Sequence, residues 1–414
     1  MIKFEKFTLS NGLRVLVHQD LSSQVSVLNL MYDVGSRDED AEKTGFAHLF
    51  EHLMFGGSKN IENFDGELQK AGGENNAFTS PDITNYYVTV PTANLETAFW
   101  LESDRMMSLS FDPKVLEVQR KVVIEEFKQR YLSQPYGDVW LKLRPVCYEK
   151  HSYNWATIGK EIKHIEDATM DDVKDFFGKF YHPNNAVLVV GGNVQVDEVK
   201  KLAEKWFGPI PAGPKNERNI PLEPKMKGEK RIEVTENVPS DALYKVYHMC
   251  DRLHPDYYAT DLLSDILGRG KSSRLYQRLV QEEPVFSNLS ASIMGSYDPG
   301  LLVISGRLND GFTLQEAEQK VDQVISDLLV EGVDDSELVK VKNQAESTLA
   351  FGRIDLLERC ISLAQGELLG DMDNFVNELE HVGKITAADV NRVAKEILVK
   401  ENSVVMHYNK AASN

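Results

Sequence analysis

The chain has 414 residues, 42% of them hydrophobic and 27% charged, with a formal net charge of −18. That length exceeds one ordinary core and favours two domains of roughly 200 residues each. The acidic balance argues against nucleic acid, whose phosphates need a basic face, and no apolar run reaches the roughly 18 residues that would cross a membrane.

The opening MIKFEKFTLSNGLRVLV reads as a strand, a turn at Asn11-Gly12 and a second strand. It carries no charged leader, apolar h-region or small-residue cleavage site, so a cytoplasmic location is expected. Cys147, Cys250 and Cys360 are odd in number and far apart. They suit reduced, mostly buried thiols better than a disulfide framework or a cysteine zinc site.

The next element, TGFAHLFEHLMFGG, raises a chemical problem. On a helix, His48 and His52 lie one above the other at i and i+4, and Glu51 shares their face. Phe46, Ala47, Leu49, Phe50, Leu53, Met54 and Phe55 belong in a core. Polar groups on so apolar a segment need a partner that offsets their burial. Zinc is such a partner: it takes imidazole ligands and leaves an open position, with a carboxylate one turn away as general base. The order HxxEH is the reverse of the commoner HExxH and matches the inverted-motif zinc peptidases. A motif this short arises by chance in roughly one chain in a hundred, so a third ligand must support it.

That ligand is sought in DPKVLEVQRKVVIEEFKQRY, a helix opened by Asp112-Pro113. An apolar stripe through Val115, Val118, Val122 and Val123 extends onto Glu126, while Glu125 falls on the solvated side. A carboxylate extending such a stripe needs a cation or strong donors. Zinc meets that need, and a salt bridge to arginine is the alternative.

Further along, PIPAGPKNERNIPLEPKMKG (209–228) is a Pro- and Gly-rich linker between a domain at 1–208 and another at 229–414. The flanking halves look like copies. TMDDVKDFFGKFYHPNNAVLVV from Thr169 and TAADVNRVAKEILVKENSVVMH from Thr386 each read as a Thr-capped helix followed by a strand. YYATDLLSDILGRG likewise resembles the HLFEH helix. Aligned through Ala47 and Ala259, it places Thr260, Leu263 and Ser264 where His48, Glu51 and His52 stand, so the chemistry belongs to one half. The expected fold is α+β of the α/β-sandwich type: two similar domains, each a mixed, largely antiparallel sheet with helices packed on it. DILGRGKSS is no phosphate loop, because the first glycine of that motif would fall on Asp265.

HLFEH followed by Glu126 in a VVxxE helix resembles the pitrilysin and mitochondrial-processing-peptidase family of zinc metallopeptidases. AGGENNAFTSPDITNYYV and SSRLYQRL are similar to further family segments. The resemblance implies one Zn2+ per chain held by His48, His52 and Glu126, with Glu51 as the catalytic base. It implies that Asn76, Ala77, Phe78 and Thr79, after the Gly72-Gly73 turn, pair with a peptide substrate. It also implies a chamber closed by two such chains, hence a homodimer or a heterodimer with a related chain. The expected activity is that of an endopeptidase on peptides or unfolded segments. The alternatives are a catalytic subunit dependent on its partner, and a non-catalytic structural subunit.

Two departures from the family pattern stand out. Seven positions before Glu126 the family has an acidic residue, and here Gln119 is the candidate to support the metal. In the second half, Val280 and Phe286 occupy places where active members often carry Arg and Tyr. Neither can donate to an oxyanion, so the donors are expected from a second chain or from residues without a family counterpart.

Overall fold

The structure is a computed structural model and describes residues 2–412. The chain forms two compact units. The first comprises Met1–Leu132, His151–Pro221 and Phe351–Asn377, and the second Ser133–Lys150, Leu222–Ala350 and Glu378–Asn414. These are not the contiguous blocks 1–208 and 229–414, since each unit borrows a segment from the other half of the sequence. The reason is physical: an amphipathic pattern shows that a helix buries a face, but not which sheet covers it.

In the first unit six strands form one sheet: β1 (Glu5–Thr8), β2 (Arg14–Gln19), β3 (Val25–Tyr32), β4 (Glu74–Thr79), β5 (Thr84–Pro91) and β6 (Ala186–Gly192). Their order is β1-β2-β6-β3-β5-β4. Only β2 and β6 run parallel, and the other neighbours are antiparallel. The expected turn at Asn11-Gly12 joins β1 to β2, with Gly12 in the left-handed region at φ +88°. Every residue of β6 is buried, as is all of β3 after Val25. Such continuous burial requires cover on both faces. On one side Tyr86 of β5 meets Phe55 and Arg105. On the other the borrowed helix Leu356–Leu369 lies so close to β6 that a Cβ on Gly191 would sit 2.5 Å from Cys360 Sγ.

The 209–228 segment contains no helix or strand, as expected of a linker. Its first part is nonetheless pinned to the first unit. Gly213 N–H donates to Asn184 Oδ1 at 2.7 Å. Arg218 donates to Asp33 Oδ1 at 2.8 Å and to Asp38 Oδ1 at 2.6 Å.

The second unit repeats the first without its edge strand β1. Strands β7 (Lys230–Glu236), β8 (Ala242–His248), β9 (Phe286–Met294), β10 (Leu301–Leu308) and β11 (Ser403–Lys410) lie in the order β7-β11-β8-β10-β9. The β7/β11 pair is parallel, like β2/β6. The repeated helices Met170–Phe180 and Ala387–Ile397 each open with a capping box, Thr169 with Asp172 and Thr386 with Asp389. Two mixed sheets with packed helices are the fold class that the sequence predicts. Among the described residues no helix is long and apolar enough to cross a membrane.

The close approach at Gly191 is testable. Gly191→Ala should cost about 1–3 kcal/mol in urea unfolding, as overpacking does, and distinctly less in a Cys360→Ala background. Equal penalties in both backgrounds would refute the contact.

Candidate metal centre

The HLFEH segment is a helix, Phe46–Leu53, that buries Phe46, Ala47, Leu49, Phe50 and Leu53. Its remaining face carries His48, Glu51 and His52. Gly45 caps it in the left-handed conformation at φ +88° and offers no side-chain acceptor. The orphan amides of the first turn turn instead to Glu39. That buried carboxylate accepts from Gly45 N–H at 2.9 Å, Ala47 N–H at 2.8 Å and the Trp155 indole at 3.0 Å. Burial pushes the Glu39 carboxyl up to about 8, and these three donors pull it only part of the way back.

Glu126 arrives on the helix Pro113–Phe127, opened by Asp112 accepting from Lys114 N–H at 2.8 Å. The buried face of this helix is Leu116, Val123 and Phe127, not the valine stripe that the sequence suggests. Val118 and Val122 are 55% and 44% exposed. At about 100° per residue, Leu116, Val123 and Phe127 coincide, and Glu126 sits at the margin of their face. That margin lets the carboxylate reach the histidines while its stem stays half-buried. Glu125 is solvated, as expected, and pairs with Lys128 at 2.8 Å.

Glu126 Oε2 lies 3.4 Å from His52 Nε2 and 3.7 Å from His48 Nε2. One ligand atom from each residue lies within 4.8 Å of the others, which among the described residues makes this the one trio able to hold a metal ion. Ligand atoms on one tetrahedral zinc, bound at about 2.0–2.1 Å, stand roughly 3.3 Å apart, so the trio fits. Burial takes the His48 pKa down to about 4, so its ring is neutral with a lone pair to offer. Contact with His52 holds the Glu126 carboxyl below its ordinary range despite partial burial. Gln119, half-buried two turns earlier, is not among the groups that act on His48 or Glu126.

Glu51 stands apart from the trio. Burial pushes its carboxyl up, and the Thr79 hydroxyl, donating to Oε2 at 2.6 Å, pulls it back. Thr79 ends β4, which lies at the sheet edge and pairs with β5 alone. The expected Asn76, Ala77, Phe78 and Thr79 therefore line the same cavity as His48, Glu51, His52 and Glu126, a space of about 550 Å³. Ala77 N–H is met at 2.8 Å by the Asn76 side-chain oxygen.

Sequence reasoning missed Arg130 and Tyr131, which also line the cavity. They belong to the π-helical turn Lys128–Leu132, and Arg130 Nη1 pairs with Glu126 Oε1 at 2.9 Å. The i, i+4 spacing was the available signal. Glu39 was missed too, because nothing in GSRDED separates it from its acidic neighbours. Thr157 and Ile158 complete the wall, on a loop fixed by the Trp155–Glu39 contact and by buried Tyr153 donating to Asp82.

In the second unit the matching helix Tyr257–Gly268 carries no ligands. Thr260 and Ser264 are buried, and their hydroxyls donate to Asp256 O and Asp261 O of the same segment, both at 2.8 Å. Phe286 is buried, and Val280 packs on the core of that unit.

Comparison with known proteins places this geometry. The family model described as insulinase (peptidase family M16) matches residues 14–139, and that of the peptidase M16 inactive domain matches residues 167–345. The zinc protease PqqE of Helicobacter pylori is 32% identical over 350 residues, spanning 82% of this chain and 78% of that protein. The chain belongs to peptidase family M16. A probable mitochondrial-processing peptidase subunit beta of Schizosaccharomyces pombe is 26% identical, covering 96% of this chain and 89% of its own. A crystal structure of a protease from Helicobacter pylori superposes with a TM-score of 0.92 at 28% identity, covering 99% of this chain and 100% of that one. The inactive-domain match falls on the half whose helix lacks ligands.

The Glu39 cap carries a prediction. Each buried donor left unpaired costs about 1–3 kcal/mol, so Glu39→Ala should lose at least about 2 kcal/mol in urea unfolding. Glu39→Gln, which retains an acceptor, should lose less. A loss below about 0.5 kcal/mol for the alanine variant would show that the helix does not depend on this carboxylate.

Proposed function

We propose that the chain is a zinc-dependent endopeptidase that cleaves extended peptides or unfolded segments, with one Zn2+ held by His48, His52 and Glu126. The observation that carries this reading is the division of labour on one face. Three groups converge within 4.8 Å of one another, while Glu51 is held aside by Thr79. Bound zinc would supply Lewis acidity, making water a nucleophile near neutral pH and polarising the scissile carbonyl. Glu51, with Oε2 engaged by Thr79, keeps Oε1 to take the water proton and hand it to the leaving amine. Its raised pKa suits both halves of that transfer.

Substrate binding follows from the edge position of β4. An extended peptide adding to this strand gains main-chain hydrogen bonds with little demand on sequence. To reach Ala77 N–H it displaces the Asn76 side chain, whose amide then turns to the peptide.

We further propose that the working form contains two chains, a second copy or a related subunit. Supporting this, Val280 and Phe286 are packed into a core and present no donor. A heterodimer in which the partner supplies those donors is the second reading, favoured by the same observation. A cytoplasmic location belongs to this proposal and is supported by three separated cysteines, none of them paired.

The test is zinc content and peptide cleavage by the purified chain. One zinc per chain is expected, lost on His48→Ala, His52→Ala or Glu126→Ala. Glu51→Gln should keep the zinc and reduce cleavage by about 10²- to 10⁴-fold, the range of general-base catalysis. Cleavage unaffected by that change would overturn the assignment. Zinc uptake without cleavage by the chain alone would select the heterodimer.

A further inference from the structure

The two oxygens of Glu126 have different neighbours. Oε2 faces the Nε2 atoms of both histidines, at 3.4 and 3.7 Å, whereas Oε1 faces Arg130 Nη1 at 2.9 Å. The terminal torsion of a glutamate is broad, so something must fix the plane of this carboxylate if one oxygen is to stay on the histidines. We propose that Arg130 fixes it: it is the positioning residue of the metal centre, holding one oxygen so that the other stays aimed at His48 and His52.

Three observations carry this assignment. Metal-ligating groups are ordinarily fixed by partners behind them, and the position expected to supply one, Gln119, is a neutral amide that is not among the groups acting on His48 or Glu126. His48 Nδ1 is buried without a hydrogen-bond partner, so that ring is not held from behind either. Arg130 lines the cavity beside the trio, within the π-helical turn that follows the Glu126 helix. Widened turns of this kind are frequent at functional sites.

The competing account is an ordinary solvated ion pair, since the Arg130 side chain is 71% exposed. Such pairs add little to stability, and this one places a positive charge beside a cation site. Arg130 acting only through its charge would therefore oppose zinc, and removing it would tighten binding. A positioning role predicts the opposite sign.

The inference rests on the proposed zinc site, and its test reads zinc affinity rather than cleavage. Zinc would be titrated into the full-length apoprotein against a competing chelator. Arg130→Ala should raise the zinc Kd by about 10- to 100-fold, the usual effect of losing such a partner, with the melting temperature of the apoprotein unchanged. Arg130→Lys, which can still pair with Oε1 through one nitrogen, should recover part of the loss. Unchanged or tighter binding by Arg130→Ala overturns the inference and leaves the zinc site standing. No zinc uptake by the parent chain overturns both together.

Discussion

The carboxylate of Glu39 at the amino end of Phe46–Leu53 is the contact on which the rest of the site depends. An eight-residue helix is too short to be stable alone, because nucleation is costly and few hydrogen bonds follow it. Its register and tilt must come from outside. Glu39 supplies them by gathering amides from Gly45 and Ala47 together with the indole of Trp155. Its neighbours are tied down in turn. Asp38 accepts from Arg218 of the 209–228 segment, and Arg37 pairs with Asp82 at 3.1 Å. That segment, the loop before the motif helix and the loop carrying Thr157 and Ile158 thus meet around residues 37–39. A site whose ligands must converge to a few tenths of an ångström needs such a frame.

The two units show what the motif adds to a common scaffold. Both sheets follow the same path, and both closing helices begin with a Thr/Asp capping box. They differ in how the polar groups of the matching helices are satisfied. The hydroxyls of Thr260 and Ser264 bond to carbonyls of their own segment, so those two positions need no outside partner. His48 makes no such bond to its own helix and keeps a buried Nδ1 without a partner. The histidine positions of the first unit require something from outside the helix; the hydroxyls at the matching positions of the second do not.

Much of this was legible in the sequence because it is local. The i, i+4 histidines, the capping boxes, the Asp112-Pro113 helix start and the turn at Gly12 depend on neighbours a few residues away. Glu126 was reached by a partly mistaken route. The valines suggested a stripe, yet Val118 and Val122 face solvent while Leu116, Val123 and Phe127 are buried. Glu126 still lies beside the histidines, since it borders both faces. What stayed hidden was long-range. Nothing in Leu356–Leu369 announces that it covers the first sheet, because its apolar face would serve either one. Glu39 and Arg130 were overlooked because a charged residue near a motif looks like any solvated one until its partner is located.

The position of Thr79 shows how few parts the arrangement requires. It is the last residue of β4, the strand with an unpaired edge, and its hydroxyl holds Glu51. Under the proposed reading, the strand that aligns a peptide also sets the angle of the base that acts on it. Glu51 itself stays on the helix that carries His48 and His52, so the Thr79 hydroxyl ties the strand that would hold the peptide to the helix that holds the base. The proposed metal ligands lie instead on two helices, one capped by Glu39 and the other seated on its own buried face. The attacking water would therefore be placed by the helices and the scissile bond by the edge strand, so that recognition of the peptide main chain and activation of the water would rest on separate elements.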